Sequence, residues 1–149
     1  MSTHEATLTW SRAAPDFTYD TYDRSHTIVY GSGVTVPASG AVEFKGDATK
    51  MNPEESLVGA LSSCHMLTFL AIAARKRLVV DRYDDAAEGF LEKNAEGRLA
   101  VTRVILRPKV RFAAGVNVDA AALAALHHKA HENCFIAQSV KTVVTVEPE

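Results

Sequence analysis

The sequence predicts one α+β domain over residues 1–149, and three observations support this class. The chain is 47% hydrophobic and 23% charged, which is close to the average for globular proteins and excludes disorder or a collagen-like repeat. Segments with alternating polarity surround two helical segments, in the order strands, long helix, strands, helix, strand. No linker or internal repeat interrupts that order, and the length is typical of one domain.

The first 50 residues are predicted to form strands and turns. Ala6–Ser11 alternates between polar and apolar residues, and residues 13–24 are interpreted as a polar loop. His26–Tyr30 and Val34–Pro37 flank Gly31-Ser32-Gly33. Because glycine adopts a positive φ without strain, this pattern predicts a β-hairpin.

A long helix is predicted from Pro53 to about Arg77. Residues 52–55, Asn-Pro-Glu-Glu, combine an N-cap, a first-turn proline and two carboxylates at the positive end of the helix dipole. Ser56–Ala74 is a run of 19 uncharged residues, which is long enough to cross a bilayer. Polar residues in its middle, and the lack of a second such run, favour instead a helix buried on nearly all sides at the centre of a globular protein.

Residues 78–112 are predicted to be strands again, with Gly97 in a turn. Residues 103–112 are expected to form one long strand, with apolar residues on one face and a basic row, interpreted as solvated, on the other. Pro108 within it indicates an edge strand or a bulge. A second helix is predicted from its N-cap Asp119 to about Asn133, and residues 140–146 are predicted to form the closing strand.

Charge and cysteine content exclude several classes of protein. The 16 Lys and Arg residues against 18 Asp and Glu residues give a formal charge of −2, so there is no basic excess for nucleic acid. Two cysteines 70 residues apart do not make a disulfide framework, and residues 1–9 do not resemble a signal peptide. We therefore expect a cytoplasmic protein that binds neither nucleic acid nor membrane.

The two cysteines are the main candidates for chemistry. Cys64 lies mid-helix beside Ser62, Ser63 and His65, and Cys134 follows the second helix. The residues alone leave open inert packing, a redox pair or a metal site. For a metal, His131 and Cys134 have i, i+3 spacing, but no second ligand pair with suitable spacing accompanies them.

The other histidines are interpreted more simply. Cys64 and His65 point about 100° apart on a helix, so both could not easily bind one ion. His65 is interpreted as a packed, hydrogen-bonded residue, and His127 and His128 as surface residues of the second helix.

Taken together, three motifs resemble the OsmC/Ohr family of thiol-dependent peroxidases, which reduce organic hydroperoxides. They are Asn-Pro-Glu-Glu at 52–55, Cys64 ten residues after Glu54, and Cys134 in Cys-Phe-Ile-Ala-Gln-Ser. The resemblance covers the chain from about residue 40 to its end. It implies an OsmC-like fold, with a long central helix and a second helix packed on antiparallel sheets, in an intertwined homodimer.

The resemblance also implies a mechanism that needs no bound cofactor. Cys64 would attack the hydroperoxide and become a sulfenic acid, and Cys134 would condense with it to a disulfide. An external dithiol reductant, for which a protein-bound dihydrolipoyl group is typical, would reopen the disulfide.

An arginine held by a glutamate would lower the pKa of the reactive thiol, and the motif assigns the glutamate to Glu54. Glu54 lies about 15 Å along the helix from Cys64, so we expect it to serve Cys64 of the partner subunit. Arg24 fits the position of the family's arginine best, and Arg12 is the second candidate.

The sequence departs from the family pattern at two places. Residues 41–46 contain no arginine, and His65 follows Cys64 where many members have phenylalanine. These departures support an alternative interpretation, a non-enzymatic OsmC-fold module that senses redox state or binds a ligand.

Overall fold

The computed structural model describes all 149 residues, which form two compact units, residues 1–56 and residues 57–149. The expectation of a single domain concerns the chain as a whole and stays a prediction.

The first unit is built on one antiparallel sheet with the strand order β1-β2-β3. The strands are β1 (Ala6–Thr9), β2 (His26–Tyr30) and β3 (Thr35–Ala38). The predicted hairpin is confirmed, because Gly33 has a φ of 86° and its N–H donates to the carbonyl of Tyr30 at 2.8 Å. A short 3-10 helix, Val42–Phe44, follows the sheet.

The long helix α1 (Pro53–Arg75) begins as the sequence predicts. Asn52 Oδ1 accepts a hydrogen bond from the Glu55 N–H at 2.8 Å, and the Glu55 carboxylate accepts one from the Asn52 N–H at 3.3 Å. This reciprocal pair is a capping box, which satisfies two donors that the helix itself leaves free. The side chain of Glu55 is thereby assigned to the helix cap.

The second unit contains five strands in two sheets. They are β4 (Val80–Asp85), β5 (Glu88–Lys93), β6 (Leu99–Leu106), β7 (Pro108–Phe112) and, near the end of the chain, β8 (Val143–Val146). One sheet pairs β4 with β7, and the other has the order β5-β6-β8. The pair β6-β8 is parallel, so this sheet is mixed, whereas purely antiparallel sheets were expected.

The prediction of one long strand over residues 103–112 is wrong. The chain changes sheets at Arg107, whose N–H donates to the carboxylate of Asp85 at 2.7 Å. Pro108 follows and has no N–H to continue a ladder, so the strand ends there and β7 begins in the other sheet. The basic row is partly paired, since Arg103 and Arg107 form salt bridges with Glu92 and Glu88.

The second helix, α2 (Ala120–Glu132), has the predicted N-cap, because Asp119 accepts a hydrogen bond from the Ala122 N–H at 2.7 Å. Leu126 and Ala130 of α2 are buried against Phe69 and Ala73 of α1. A second apolar cluster joins Leu61 to the mixed sheet through the buried residues Val104 and Leu106.

Only one stripe of α1 is buried within the chain. The fully buried residues recur every fourth position and are Leu61, His65, Phe69 and Ala73. By length and composition α1 could cross a membrane, and only 22% of its apolar window is buried. Within one chain, α2 and the sheets of the second unit fully bury this stripe alone, and the expectation of burial on nearly all sides stays a prediction about the assembly.

Candidate thiol site

The structure brings Cys64 and Cys134 together within the second unit. Cys64 lies in α1, one turn after the buried Leu61, and is half-buried. Cys134 lies directly after α2 and is only 1% exposed. Both thiols are free, and Cys64 lies close enough to Cys134 to raise the pKa of Cys134. The redox-pair interpretation thus has the neighbouring thiols that it requires.

Cys134 is held at the end of α2 by its own backbone and sulfur. Its N–H donates to the carbonyl of His131 at 3.3 Å, and its Sγ accepts a hydrogen bond from the Ala137 N–H at 3.5 Å. Burial, followed by the neighbouring thiol of Cys64, raises the pKa of Cys134 to about 11. Cys134 therefore keeps its proton at neutral pH and can donate it toward the sulfur of Cys64.

The helix segment around Cys64 is anchored to the strands by polar contacts. The hydroxyl of Ser62 donates to the carboxylate of Asp85 at 2.5 Å, and Asp85 also accepts the N–H of Arg107. The hydroxyl of Thr68 donates to the carbonyl of Cys64 at 2.8 Å. These bonds fix the backbone that carries Cys64, while its side chain stays partly accessible.

The two cysteines differ in solvent accessibility, and a reaction that uses two thiols in succession needs such a difference. The accessible thiol, Cys64, can meet an external oxidant, whereas Cys134 is shielded from it. A thiol beside an oxidised one can attack its sulfur and form a disulfide. The geometry is suited to oxidation at Cys64 followed by disulfide formation with Cys134.

Glu54 and the two candidate arginines lie in the first unit. Glu54 is half-buried, and its Oε2 is buried without a hydrogen-bond partner in the chain. Arg24 donates to the carbonyls of Tyr22, at 2.6 Å, and Tyr19. No ion pair joins Arg24 to Glu54 in the single chain, so the expected arginine–glutamate pair is not formed within one copy.

Arg24 also stacks on the aromatic ring of Tyr22. Its guanidinium lies 3.9 Å from the centre of the Tyr22 ring. A cavity of about 400 Å³ in the first unit is lined by Arg24 with Leu8, Trp10, Phe17, Tyr22, His26, Ser39, Gly40 and Pro53. Arg12, the second candidate, is exposed and donates to the carbonyl of Pro15 at 2.5 Å.

Sequence reasoning missed a buried histidine pair next to the thiols. His65 is 1% exposed and is hydrogen-bonded to His127 at 3.0 Å, so its interpretation as a packed, hydrogen-bonded residue is confirmed. The interpretation of His127 as a surface residue is wrong, since it is 2% exposed. The sequence contained a signal for the burial of His127. It follows Leu123 by four positions and precedes Ala130 by three, so it lies on the same helical face as these two core residues.

No group of three or more histidine, cysteine, aspartate or glutamate side chains is arranged to hold a metal ion. The contact between His131 and Cys134, the pair considered from its spacing, is a backbone hydrogen bond. His128 is exposed, as expected, and lies 3.3 Å from the carboxylate of Glu132.

Comparison with known proteins gives a consistent result. The family described as OsmC-like protein matches residues 46–149. The uncharacterized protein YmaD of Bacillus subtilis is 29% identical over 108 residues, which are 72% of this chain and 71% of that protein.

Solved structures of similar proteins extend the likeness to the whole chain. An OsmC-like protein of unknown function from Vibrio cholerae is 44% identical, with 100% of both chains covered and a TM-score of 0.96. The organic hydroperoxide resistance protein OhrB of Bacillus subtilis is 18% identical, with 99% of this chain and 98% of that chain covered and a TM-score of 0.71. The second likeness concerns the fold alone.

Proposed function

Because the chain belongs to the OsmC-like protein family, we propose that it is a thiol-dependent peroxidase that reduces organic hydroperoxides to alcohols. The observation that carries the proposal is the pairing of an accessible Cys64 with a buried Cys134 in one unit. OhrB of Bacillus subtilis and a relative from Legionella pneumophila, both described as organic hydroperoxide resistance proteins, share the fold.

The reaction has two steps on the protein. The thiolate of Cys64 attacks the outer oxygen of R–O–OH, the O–O bond breaks, and the alkoxide takes a proton to leave as the alcohol. Cys64 is then a sulfenic acid. The thiol of Cys134 attacks its sulfur, and a disulfide forms as water leaves.

The protonation of Cys134 fits this order of events. Its raised pKa keeps it a thiol, so it does not compete with Cys64 for the peroxide. After Cys64 is oxidised, the same proton leaves with the departing hydroxide as water. An external dithiol then reduces the disulfide, and a dihydrolipoyl group carried on a protein is the reductant we propose.

Exposed apolar side chains flank both thiols. Leu67, one turn after Cys64, is 60% exposed, and Phe135, next to Cys134, is 80% exposed. Such a surface favours the alkyl group of an organic hydroperoxide over hydrogen peroxide, because contact with it removes apolar area from water.

We also propose that the active form is a cytoplasmic homodimer with two sites. Part of the apolar surface of α1, including Leu67, is exposed in one chain, and a second copy would cover it. Glu54 would then face Cys64 of the partner subunit, and an arginine, Arg24 or the second candidate Arg12, would complete the site. The unpartnered Oε2 of Glu54 is available for such a role.

Peroxide turnover with a dithiol tests the proposal. Wild-type protein should reduce cumene hydroperoxide with dihydrolipoamide as electron donor, and Cys64→Ser should abolish turnover. Ser63→Ala changes the exposed neighbour on the same helix and should keep turnover within about twofold. Full turnover in Cys64→Ser would refute the proposal, and oxidation of wild type without turnover by any dithiol would favour a redox-sensing module.

A further inference from the structure

We propose that the hydrogen bond between His65 and His127 positions Cys134 against Cys64 and so sets the rate of disulfide formation between them. The inference rests on the cysteine pair of the proposed function. It does not require that the oxidant be a peroxide.

The two histidines link the helices that carry the two thiols. His65 directly follows Cys64 in α1, and His127 lies in α2, seven residues before Cys134. Their nitrogens, His65 Nε2 and His127 Nδ1, are 3.0 Å apart, and both side chains are at most 2% exposed. The rings are nearly parallel, with 9° between their planes and 5.4 Å between their centres.

The histidine pair stabilises the core between α1 and α2 less than a pair of apolar side chains at the same positions would. His65 Nδ1 and His127 Nε2 are buried without hydrogen-bond partners, and so is the hydroxyl of Tyr83 nearby. An unpaired buried polar atom carries a free-energy penalty that an apolar side chain would not. Phe69 already stacks on His127, with ring centres 4.5 Å apart, so the surroundings accept an apolar ring.

A hydrogen bond supplies what apolar packing lacks, which is direction. Apolar contacts between two helices tolerate small sliding and rotation, whereas a hydrogen bond weakens steeply when its distance or angle changes. The His65–His127 bond therefore fixes the position of α2 along α1 at the level of Cys64.

Cys134 moves with α2. Its N–H is bonded to the carbonyl of His131, one turn after His127. A disulfide needs an S–S bond of about 2.05 Å and a dihedral angle near 90°, so two thiols that are slightly displaced react slowly. A misplacement of about 1 Å can slow a reaction up to about a hundredfold.

The test uses an aromatic disulfide, dithiobis(nitrobenzoate), in place of a peroxide. Cys64 attacks it, releases one thionitrobenzoate anion and becomes a mixed disulfide. Cys134 then attacks the sulfur of Cys64, loses its proton and releases a second anion as the Cys64–Cys134 disulfide forms. With one equivalent of reagent per chain, the two absorbance phases separate the reactivity of Cys64 from disulfide closure.

Two variants of nearly equal shape isolate the hydrogen bond. In His127→Asn, the amide group takes the place of Nδ1 and can keep the bond to His65, whereas His127→Leu removes it. Both variants lose the ring that stacks on Phe69, so a purely structural role would affect them alike.

The expected result is a split between the two phases. The first phase should be equal in wild type and both variants within about twofold, and the second should slow about tenfold in His127→Leu alone. Equal second phases in the Leu and Asn variants would overturn the proposal. If wild type released only one anion, the cysteine pair itself would be refuted, whereas two anions with no peroxide turnover would refute only the proposed function.

Discussion

His65 and His127 form a stacked, hydrogen-bonded pair, with 3.0 Å between nitrogens, inside the core formed by α1 and α2. Burial lowers the pKa of each to about 4, and for His65 the neighbouring His127 and then His131 lower it further. Asp85 is the one carboxylate that acts on His127, and it opposes the shift. Both imidazoles are therefore neutral at neutral pH.

We expect stability to fall in mild acid because of this pair. Unfolded histidines bind protons below a pH of about 6.5, but the folded ones bind them only near 4, so unfolding takes up protons in that window. The free energy of unfolding should drop as the pH falls from 6.5 to 4, by up to about 1.4 kcal/mol per pH unit for each histidine.

Chemical denaturation at a series of pH values measures this slope. His128→Gln, at the exposed neighbour in α2, should leave the slope unchanged, whereas His127→Asn should reduce it. A free energy of unfolding that is constant between pH 6.5 and 4 would contradict the expectation.

Arg77 closes α1 in a left-handed conformation, with a φ of 59°. The N–H groups of Arg77 and Leu78 bond back to the carbonyls of Ala74 and Ala73, as in a Schellman motif. Glycine adopts this conformation without strain, so Arg77→Gly should stabilise the protein by about 0.5–1 kcal/mol.

Thermal or chemical denaturation of Arg77→Gly checks this value. Arg75→Gly, two residues earlier and still helical, serves as the control and should destabilise by about 0.5–1 kcal/mol. Loss of stability in Arg77→Gly would show that the arginine side chain makes a contact that outweighs the backbone strain.

Most of the secondary structure could be predicted because its signals are local. The capping box at Asn52 and Glu55, the glycine hairpin and the Asp119 cap each lie within a few residues of sequence. Pro108 was a local signal of an irregularity, but the passage of the chain between two sheets at Arg107 could not be predicted, because alternation of polarity continues through it. Pairing of β8 parallel to β6 is a long-range choice that no local pattern encodes.

The exposed face of α1 predicts self-association. Leu67 is 60% exposed on this helix, and a second copy would bury it. In analytical ultracentrifugation, wild type should sediment at twice the chain mass of 16.1 kDa, and Leu67→Glu should shift it toward the monomer. Leu99→Glu, at a leucine 58% exposed in a strand, should leave the dimer intact, and a wild-type monomer would contradict the expectation.

Cys134 is expected to protect Cys64 from irreversible oxidation. In Cys134→Ser, the sulfenic acid of Cys64 has no thiol partner, so excess peroxide should convert it to the sulfinic acid. Mass spectrometry of intact protein should show two added oxygen atoms in this variant and a disulfide in wild type. Equal oxidation of the two proteins by excess peroxide would contradict the assigned role.

Part of the candidate site could also be predicted from sequence. The family resemblance predicts the two cysteines and Glu54, and the structure places the two thiols near each other, while the catalytic roles of all three stay predictions. The His65–His127 bond was missed because it joins residues 62 positions apart, and sequence spacing indicates only which residues share a face. The arginine could not be assigned, since Arg24 and Arg12 both donate to nearby backbone carbonyls in the single chain.

The most direct test of the thiol couple is an anaerobic thiol titration of the reduced protein before and after one equivalent of cumene hydroperoxide. We predict the loss of two thiols per chain within seconds, with one equivalent of alcohol formed. Two thiols still free after minutes would contradict the proposal that Cys64 and Cys134 reduce organic hydroperoxides.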